Sequence, residues 1–174
     1  MSKRNKYDLS NEHGIGWTSN TNKEFYFDLD DYEKIKDYCW SENSNKKSGY
    51  HFVEAWDNIT QKVVRMHWVI IGKNYDHIDR NPFNNKKSNL RLATRQENNR
   101  NCSISTNNTS GITGITWYSR KNKWIAYIGV DYKRIHLGYF ENKEDAIKAR
   151  LKAEKEHFRE FAPQKHLFEE YGIT

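Results

Sequence analysis

Apolar residues in this sequence come in short runs that polar residues interrupt, and this pattern limits what the chain can fold into. The longest strongly apolar run, residues 68–71, is far shorter than the roughly 20 residues that a membrane-spanning helix needs. Hydrophobic residues make up 36% of the chain and the mean hydropathy is −1.07. The sequence therefore excludes a membrane protein and predicts short strands and helices.

The chain start and the cysteines indicate where such a protein works. Residues 1–6 are basic but no apolar segment follows them, so we expect no secretory signal. Cys39 and Cys102 are too few for a disulfide framework or for an all-cysteine zinc site. Both features favour a cytosolic setting.

Positive charge is in modest excess over negative charge. The chain of 174 residues has 29 Lys and Arg against 23 Asp and Glu, which gives a net charge of +6 and a pI near 9.2. An anionic partner is plausible, and nucleic acid is the commonest one. The same charge is also ordinary for a soluble basic protein, so composition alone does not decide between the two.

The chain divides into stretches of different texture, and together they predict an α+β fold. Residues 1–66 mix short aromatic strands with one helix and are interpreted as a scaffold. Residues 67–102 are rich in Asn, Asp and Arg and carry the candidate chemistry. Residues 103–111 form a polar linker without apolar periodicity. Residues 112–174 predict a three-stranded antiparallel sheet packed on one helix.

The middle stretch predicts a strand, a loop, a second strand and a helix. Residues 75–79 are typical of a strand, which the Asn- and Pro-rich segment 81–85 ends. Residues 89–93 alternate and can pair back on the first strand. The sequence TRQE at 94–97 is a capping box, which places Asn98 in the first turn of a short helix.

Three side chains of this arrangement have the chemistry of a phosphodiesterase site. The carboxylate of Asp76 and the amide oxygen of Asn98 are hard ligands suited to Mg²⁺, Mn²⁺ or Ca²⁺. The imidazole of His77 can accept a proton from water near neutral pH. Because adjacent strand residues face opposite ways, a bulge or twist at the strand end is expected to bring Asp76 and His77 to one phosphate.

The full string closely resembles the HNH endonuclease family, and in particular its phage-type and homing members with a ββα-metal core. The resemblance covers roughly residues 64–101 and is carried by DHIDRN at 76–81, NN at 84–85, SNLR at 88–91 and EN at 97–98. It implies a metal-dependent DNA endonuclease that leaves 5′-phosphate and 3′-hydroxyl ends on double-stranded DNA. It also implies Mg²⁺ or Mn²⁺ as the cofactor, and we expect no structural zinc.

The resemblance also implies roles for four residues. Asp76 and Asn98 are the expected metal ligands, and His77 is the expected general base. Asn89 is expected to tie the loop back and to hold His77 in orientation. His67 precedes the string and is interpreted as structural.

Three arginines near the predicted site are candidate phosphate contacts, because a guanidinium matches a phosphate with two parallel hydrogen bonds. The alternative for each is a solvated, ion-paired surface. These residues are Arg91, Arg95 and Arg100.

The C-terminal stretch predicts strands at 114–118, 124–130 and 133–139, followed by a helix that Asn142 can cap. Alternation assigns one apolar face to the helix side and leaves the other face polar, aromatic and basic. The predicted apolar face contains Ile115, Trp117, Ala126, Ile128, Ile135 and Leu137. The predicted outer face can enter a major groove of DNA.

Residues 111 to about 158 resemble the apetala-two/ethylene-response-factor DNA-binding domain, through GI at 114–115, KW at 123–124, RIHLGYF at 134–140 and EDA at 144–146. Thr116, Gly129 and His136 differ in type from that family's usual Arg, Arg and Trp, so its target sequence does not carry over. The positions that match its base and phosphate readers are Thr116, Tyr118, Arg120, Tyr127, Gly129, Arg134 and His136. For the aromatic residues among them the alternative is sheet packing.

These observations predict a site-preferring DNA endonuclease, homing- or restriction-like, in the cytoplasm of a bacterial or phage-infected cell. The alternative is a DNA-binding regulator with an inactive HNH core. A ribonuclease or a nonspecific defence nuclease is a third possibility. A homodimer is possible, and the sequence leaves nicking and double-strand cleavage both open.

Overall fold

A computed structural model describes residues 4–44, 49–100 and 107–174 of the chain. The chain folds as two compact units, residues 1–95 and residues 96–174. Small antiparallel sheets combine with short helices and one long helix, which confirms the predicted α+β class. Cys102, much of the predicted linker and the side chain of Arg100 lie outside the described parts.

The N-terminal sheet pairs three antiparallel strands, β1 (Lys6–Asp8), β2 (Gly14–Trp17) and β3 (Glu24–Phe27). Phe25 and Phe27 of β3 are fully buried. A Cβ atom on Gly14 would lie 2.3 Å from the Phe27 ring, and one on Gly16 would lie 2.3 Å from the Phe25 ring. The two glycines therefore allow both phenylalanines to pack directly on the neighbouring strand.

The first unit also contains a second sheet and two short helices. These elements are α1 (Tyr32–Ile35), β4 (Ser41–Ser44), β5 (His51–Asp57), β6 (Lys62–Arg65) and α2 (Met66–Ile70). Trp40 is fully buried, and its Nε1 donates a 2.9 Å hydrogen bond to the carbonyl oxygen of Ile35. One hydrophobic core joins β3, α1, β5 and α2, and its buried members are Phe25, Phe27, Ile35, Trp40, Val53, Ala55, Met66 and Ile70.

The predicted strand, loop, strand and helix of the middle stretch are all present. They are β7 (Tyr75–His77), β8 (Leu90–Leu92) and α3 (Arg95–Arg100), and a 3₁₀ turn at Lys87–Asn89 precedes β8. The helix starts at the residue after Thr94, as its capping box predicts. It begins at the last residue of the first unit and continues into the second.

The second unit places one helix on a three-stranded antiparallel sheet. Its elements are β9 (Ile115–Tyr118), β10 (Lys123–Val130), β11 (Lys133–Phe140) and α4 (Lys143–Phe158), and β10 is the central strand. Ala126 and Ile128 of β10 and Leu151 of α4 are fully buried. The helix starts directly after Asn142, as predicted, but the Asn142 side chain makes no capping hydrogen bond to the helix backbone.

A buried ion pair fixes α4 to the sheet at a bulge of β10. The pairing of β10 with β11 shifts register between Ala126 and Tyr127. Arg150 Nη1 donates to the Tyr127 carbonyl oxygen at 3.0 Å, and Arg150 Nη2 lies 2.7 Å from Glu154 Oε1. Gln164 Nε2 also donates to that carboxylate, at 2.6 Å. The carboxylate and both terminal nitrogens of the guanidinium thus have partners, which helps a buried ion pair to be tolerated. Arg150 Nε has no hydrogen-bond partner within the described residues.

Two residues of the predicted apolar face are not buried. Trp117 is 47% exposed and Ile135 is 39% exposed. They belong to the outer strands β9 and β11, whereas α4 covers the central strand. The prediction that they pack under the helix is wrong, because one helix does not cover the full width of three strands.

Within the described ranges, no helix has the length and apolar character that a bilayer crossing requires.

Candidate active site

Strands β7 and β8 present the residues of the predicted site. Asp76 pairs with Arg91, and His77 pairs with Leu90, in an antiparallel ladder without a register shift. The bulge expected between Asp76 and His77 is therefore absent, and their side chains leave the strand on opposite faces. His77 is the last residue of β7, so both side chains lie where the strand gives way to the loop.

The His77 imidazole is buried and fixed by an amide that the sequence reasoning did not single out. Its Nε2 lies 3.2 Å from Asn85 Oδ1. Asn85 is fully buried, and its Nδ2 donates to the Pro82 carbonyl oxygen at 3.1 Å, which sets the orientation of the amide. Because an amide oxygen only accepts, Nε2 carries the imidazole proton. The neutral ring thus has Nδ1 as its basic nitrogen.

The surroundings of His77 keep it in the form that a general base needs. Burial lowers its pKa below the usual value, and this outweighs the Asn85 hydrogen bond and the Asp79 and Asp76 charges, which raise it. The protein is therefore built to hold His77 neutral at neutral pH. A lowered pKa also makes the ring a weaker base, so the proton it takes must come from a water that is itself activated.

A second buried imidazole packs against His77. The ring of His67 meets that of His77 edge-on, with centroids 4.8 Å apart. His67 is 8% exposed, and burial, followed by the nearby His77 and Arg65, lowers its pKa to about 3. With this pKa the imidazole of His67 is neutral at neutral pH. A neutral ring suits packing, which supports the structural interpretation of His67.

Asn89 closes the loop between the strands. Its Nδ2 donates to Asp79 Oδ1 and to the Asn84 carbonyl oxygen, both at 2.8 Å, and its Oδ1 accepts from the Asp79 amide at 3.1 Å. Its own carbonyl oxygen accepts from the Ile78 amide at 2.8 Å. Asn89 therefore fixes the backbone that follows His77, whereas Asn85 contacts the imidazole directly. The direct partner of His77 was missed at sequence level because two neighbouring asparagines, 84 and 85, give no signal of which one faces inward.

Two carboxylates lie close to His77 along the chain, and both have partners. Asp79 Oδ1 accepts from Asn89 Nδ2 and from the Asn81 amide, and Asp79 Oδ2 accepts from Asn84 Nδ2, all at 2.8 Å. The Asp76 side chain is 12% exposed and forms an ion pair with Arg91, with its Oδ2 3.7 Å from Arg91 Nη2. A carboxylate is a ligand type that suits a hard divalent cation.

The helix residues of the predicted site belong to a different part of the molecule. Asn98 is exposed on α3 in the second unit, whereas Asp76 and His77 belong to the first. That Asp76 and Asn98 coordinate the same metal ion therefore stays a prediction. Arg95 is exposed at the start of α3, and Arg91 lies beside Asp76.

The N-terminal sheet holds the loop from outside the predicted nuclease segment. The Tyr26 amide donates to the Phe83 carbonyl oxygen, and the Asn85 amide donates to the Tyr26 carbonyl oxygen, both at 2.8 Å. The Lys87 amide donates to Asp28 Oδ2 at 2.8 Å. Residues 24–31 thus position the loop that positions His77.

A cluster of three carboxylates in this region has the spacing of a metal site, but cations of the chain already neutralise it. Lys87 Nζ lies 2.7 Å from Asp30 and 3.1 Å from Asp31, and Lys34 Nζ lies 2.7 Å from Asp31. Together with the bond from the Lys87 amide to Asp28, these ion pairs identify the cluster as part of the loop anchor.

The outer face of the C-terminal sheet collects rings and cations. The Arg134 guanidinium lies 4.5 Å from the centre of the Tyr127 ring, and the rings of His136 and Tyr139 are 4.7 Å apart. Tyr118 lies 6.1 Å from Tyr139. Thr116, Arg120 and Gly129 are exposed on the same unit. This face therefore brings together Tyr118, Tyr127, Arg134 and His136, as the alternation predicts.

Two residues of this face were missed at sequence level. Tyr139 is 43% exposed, and Lys121 Nζ lies 4.4 Å from its ring centre. Gly138, with φ +143°, follows Leu137, and both Leu137 and Phe140 pack toward the core. This irregularity turns Tyr139 outward, and a strict period of two does not reveal where it occurs.

Known proteins resemble the segment of the chain that contains strands β7 and β8. Residues 72–100 match the family model described as HNH endonuclease, which covers β7, the loop, β8 and α3. The chain is also similar to Protein 3.8 of Escherichia phage T7. The two are 28% identical over 88 residues, an alignment that covers 51% of this chain and 68% of that protein. No solved structure matches the chain significantly. The matched segment is similar to that of HNH nucleases, which in general depend on a metal ion.

Proposed function

We propose that this protein is a metal-dependent DNA endonuclease that hydrolyses phosphodiester bonds to 5′-phosphate and 3′-hydroxyl ends. The observation that carries the proposal is the buried imidazole of His77, whose Nε2 lies 3.2 Å from Asn85 Oδ1 and whose pKa is lowered by burial. The neighbouring carboxylate of Asp76 and the match of residues 72–100 to HNH endonucleases support it.

His77 is the proposed general base. With Nε2 protonated, Nδ1 takes the proton from the attacking water, and the resulting imidazolium is stabilised by its hydrogen bond to Asn85 and by the charges of Asp79 and Asp76. Asn89 acts as a positioning residue, because it fixes the turn that follows His77. Because Asp76 and His77 leave β7 on opposite faces, their joint action on one phosphate stays a prediction.

Asp76 and Asn98 are the proposed metal ligands, with Mg²⁺ or Mn²⁺ as the ion. The donor set of one carboxylate and one amide oxygen fits a hard cation and leaves coordination positions for water and phosphate oxygens. A bound ion would supply positive charge to the leaving 3′ oxygen. Arg91 is 16% exposed and stands beside Asp76, where it would balance phosphate charge. The absence of a structural zinc stays a prediction.

The second unit is the proposed target reader. Its outer face offers guanidinium, imidazole and phenol groups to double-stranded DNA, and its sheet-plus-helix architecture suits the predicted resemblance to the apetala-two/ethylene-response-factor domain. We infer a site-preferring enzyme of homing or restriction type. A homodimer and a place in the cytoplasm of a bacterial or phage-infected cell are parts of the same proposal.

The proposal is tested with purified protein and supercoiled plasmid. Mg²⁺ or Mn²⁺ should produce nicked or linear DNA, and EDTA should prevent it. Sequencing of ends from a mixed DNA library should show preferred sites with 5′-phosphates. DNA binding without any cleavage in either ion would instead favour a regulator with an inactive core.

A further inference from the structure

The hairpin between β10 and β11 ends in a turn that its sequence does not favour. Asp131 has φ +49° and Tyr132 has φ +62°, and the pair Val130 and Lys133 closes the ladder on either side. Two consecutive left-handed residues form a type I′ turn, for which Gly is the preferred second residue. A tyrosine there is strained, because its Cβ crowds the backbone.

Packing does not explain the tyrosine. Tyr132 is 101% exposed, so its ring is held off the rest of the described structure and buries no apolar surface. A residue that strains the backbone without packing is a candidate for a role outside the folded chain. A glycine or an asparagine would make the same turn at lower cost.

The surroundings of Tyr132 suit a polyanion. Lys133 and Arg134 follow it and are exposed, and the Arg134 guanidinium lies 4.5 Å from the Tyr127 ring on the outer face of the sheet. The one carboxylate of the turn, Asp131, accepts a 3.0 Å hydrogen bond from Gln96 Nε2. The tip thus combines one free aromatic ring with two cations.

The same hydrogen bond locates the tip within the second unit. Gln96 belongs to α3, the helix that carries the proposed metal ligand Asn98 two residues further on. The turn that carries Tyr132 therefore contacts α3 through its first residue, Asp131.

From these observations we propose that Tyr132 is a wedge that enters duplex DNA and stacks against a base step of the site that the second unit binds. This deepens the proposed function and rests on it, because it requires the second unit to bind DNA. Insertion of an aromatic or apolar side chain partly unstacks a base step, and pyrimidine–purine steps are the easiest to open. The residue would thus favour sites with such a step at a fixed position in the bound sequence.

Insertion of Tyr132 is tested with the full chain bound to a pool of random 40-base-pair duplexes. EDTA is present, so that the protein binds DNA but does not cut it. Bound duplexes are treated with permanganate, which oxidises unstacked thymines, and are then sequenced. The parent protein should give one hyper-reactive thymine at a fixed position within the sequence that the bound duplexes share. Tyr132→Phe should keep this signal, because the ring is retained.

Tyr132→Gly gives the sharpest readout, because two effects should move in opposite directions. The glycine relieves the turn, so the thermal midpoint should rise by a few degrees, while the thymine signal disappears and DNA affinity falls about tenfold. Tyr132→Asn, which tolerates the turn but lacks the ring, should behave in the same way. An unchanged thymine signal and an unchanged DNA affinity in both variants would overturn the proposal. A contact of the exposed turn with a protein partner would then be the alternative.

Arg134→Ala separates this failure from a failure of the proposed function. If Arg134→Ala weakens DNA binding and Tyr132→Gly does not, the sheet binds DNA and only the wedge is refuted. If the parent chain binds no DNA, the proposed function is refuted together with the wedge.

Discussion

The loop of the first unit and the sheet face of the second hold their functional side chains in opposite ways. Around His77 the polar groups are buried and bonded to one another, with Asn85 fully buried and Asn89 7% exposed. On the sheet, Arg134 and His136 are exposed, and each lies against a neighbouring ring. In the loop, function and stability thus depend on the same bonds, whereas on the sheet they are separate. Substitutions in the loop should therefore change activity and stability together, whereas substitutions on the sheet face should change binding without changing stability.

The largest effect is expected from removal of the proposed base. His77→Ala should lower the rate of plasmid cleavage by about 10²- to 10⁴-fold, the range that general-base catalysis contributes. Single-turnover cleavage with Mg²⁺ measures it, and circular dichroism checks the fold. His166→Ala, which removes an exposed histidine of the second unit, is the matched control and should cut normally. Equal rates for the parent and His77→Ala would remove His77 from the mechanism.

Asn89→Ala should lose stability and activity together, because it removes three side-chain hydrogen bonds of a buried loop. The free energy of unfolding should fall by about 2–4 kcal/mol, since the partner groups on Asp79 and Asn84 are left unsatisfied. Urea titration measures the loss. Asn58→Ala, at an exposed turn, is the control and should change stability little. A stable but inactive Asn89→Ala would show that the coupling between fold and site is absent.

His67 should make the protein sensitive to acid. Its pKa is about 3 in the folded state, far below the value of an exposed histidine, so the unfolded chain takes up a proton first as the pH falls below about 6.5. Stability is therefore unaffected above that value and declines toward pH 3. The loss from pH 7 to pH 5 is about 2 kcal/mol.

His67→Phe keeps a ring in the same place but does not titrate. In urea titrations at pH 7 and pH 5 it should lose about 2 kcal/mol less than the parent between the two values. An identical pH dependence of the parent and the variant would mean that His67 is not the residue that senses acid.

The smallest effect is expected on the sheet. Arg134→Ala should weaken DNA binding by several-fold and reduce the slope of affinity against salt by about one, because one phosphate contact is lost. Its urea midpoint should stay that of the parent. Lys152→Ala, an exposed cation of α4, is the control for net charge. A destabilised Arg134→Ala would contradict the separation of binding from folding on this face.

The elements around the site could be predicted because their signals are local. The alternation in β7 and β8, the capping box before α3 and the Asn142 start of α4 each depend on a few consecutive residues. The partner of His77 could not, because the choice between Asn84 and Asn85 is made by hydrogen bonds from Tyr26, almost 60 positions away in the chain. Trp117 and Ile135 were misplaced for a similar reason. Alternation identifies two faces of a sheet, but it does not tell how far a helix extends over one of them.

The bonds from Tyr26 and Asp28 to the loop have a consequence for how such a nuclease can be transferred between proteins. A fragment that begins at residue 67 would contain every residue of the HNH string but would lack the strand that orders Asn85 and Lys87. We expect recombination to carry the string successfully only together with the sheet that precedes it. The segment that must be transferred therefore runs from the first strand, at Lys6, to the end of α3, which is about three times the length of the matched residues 72–100.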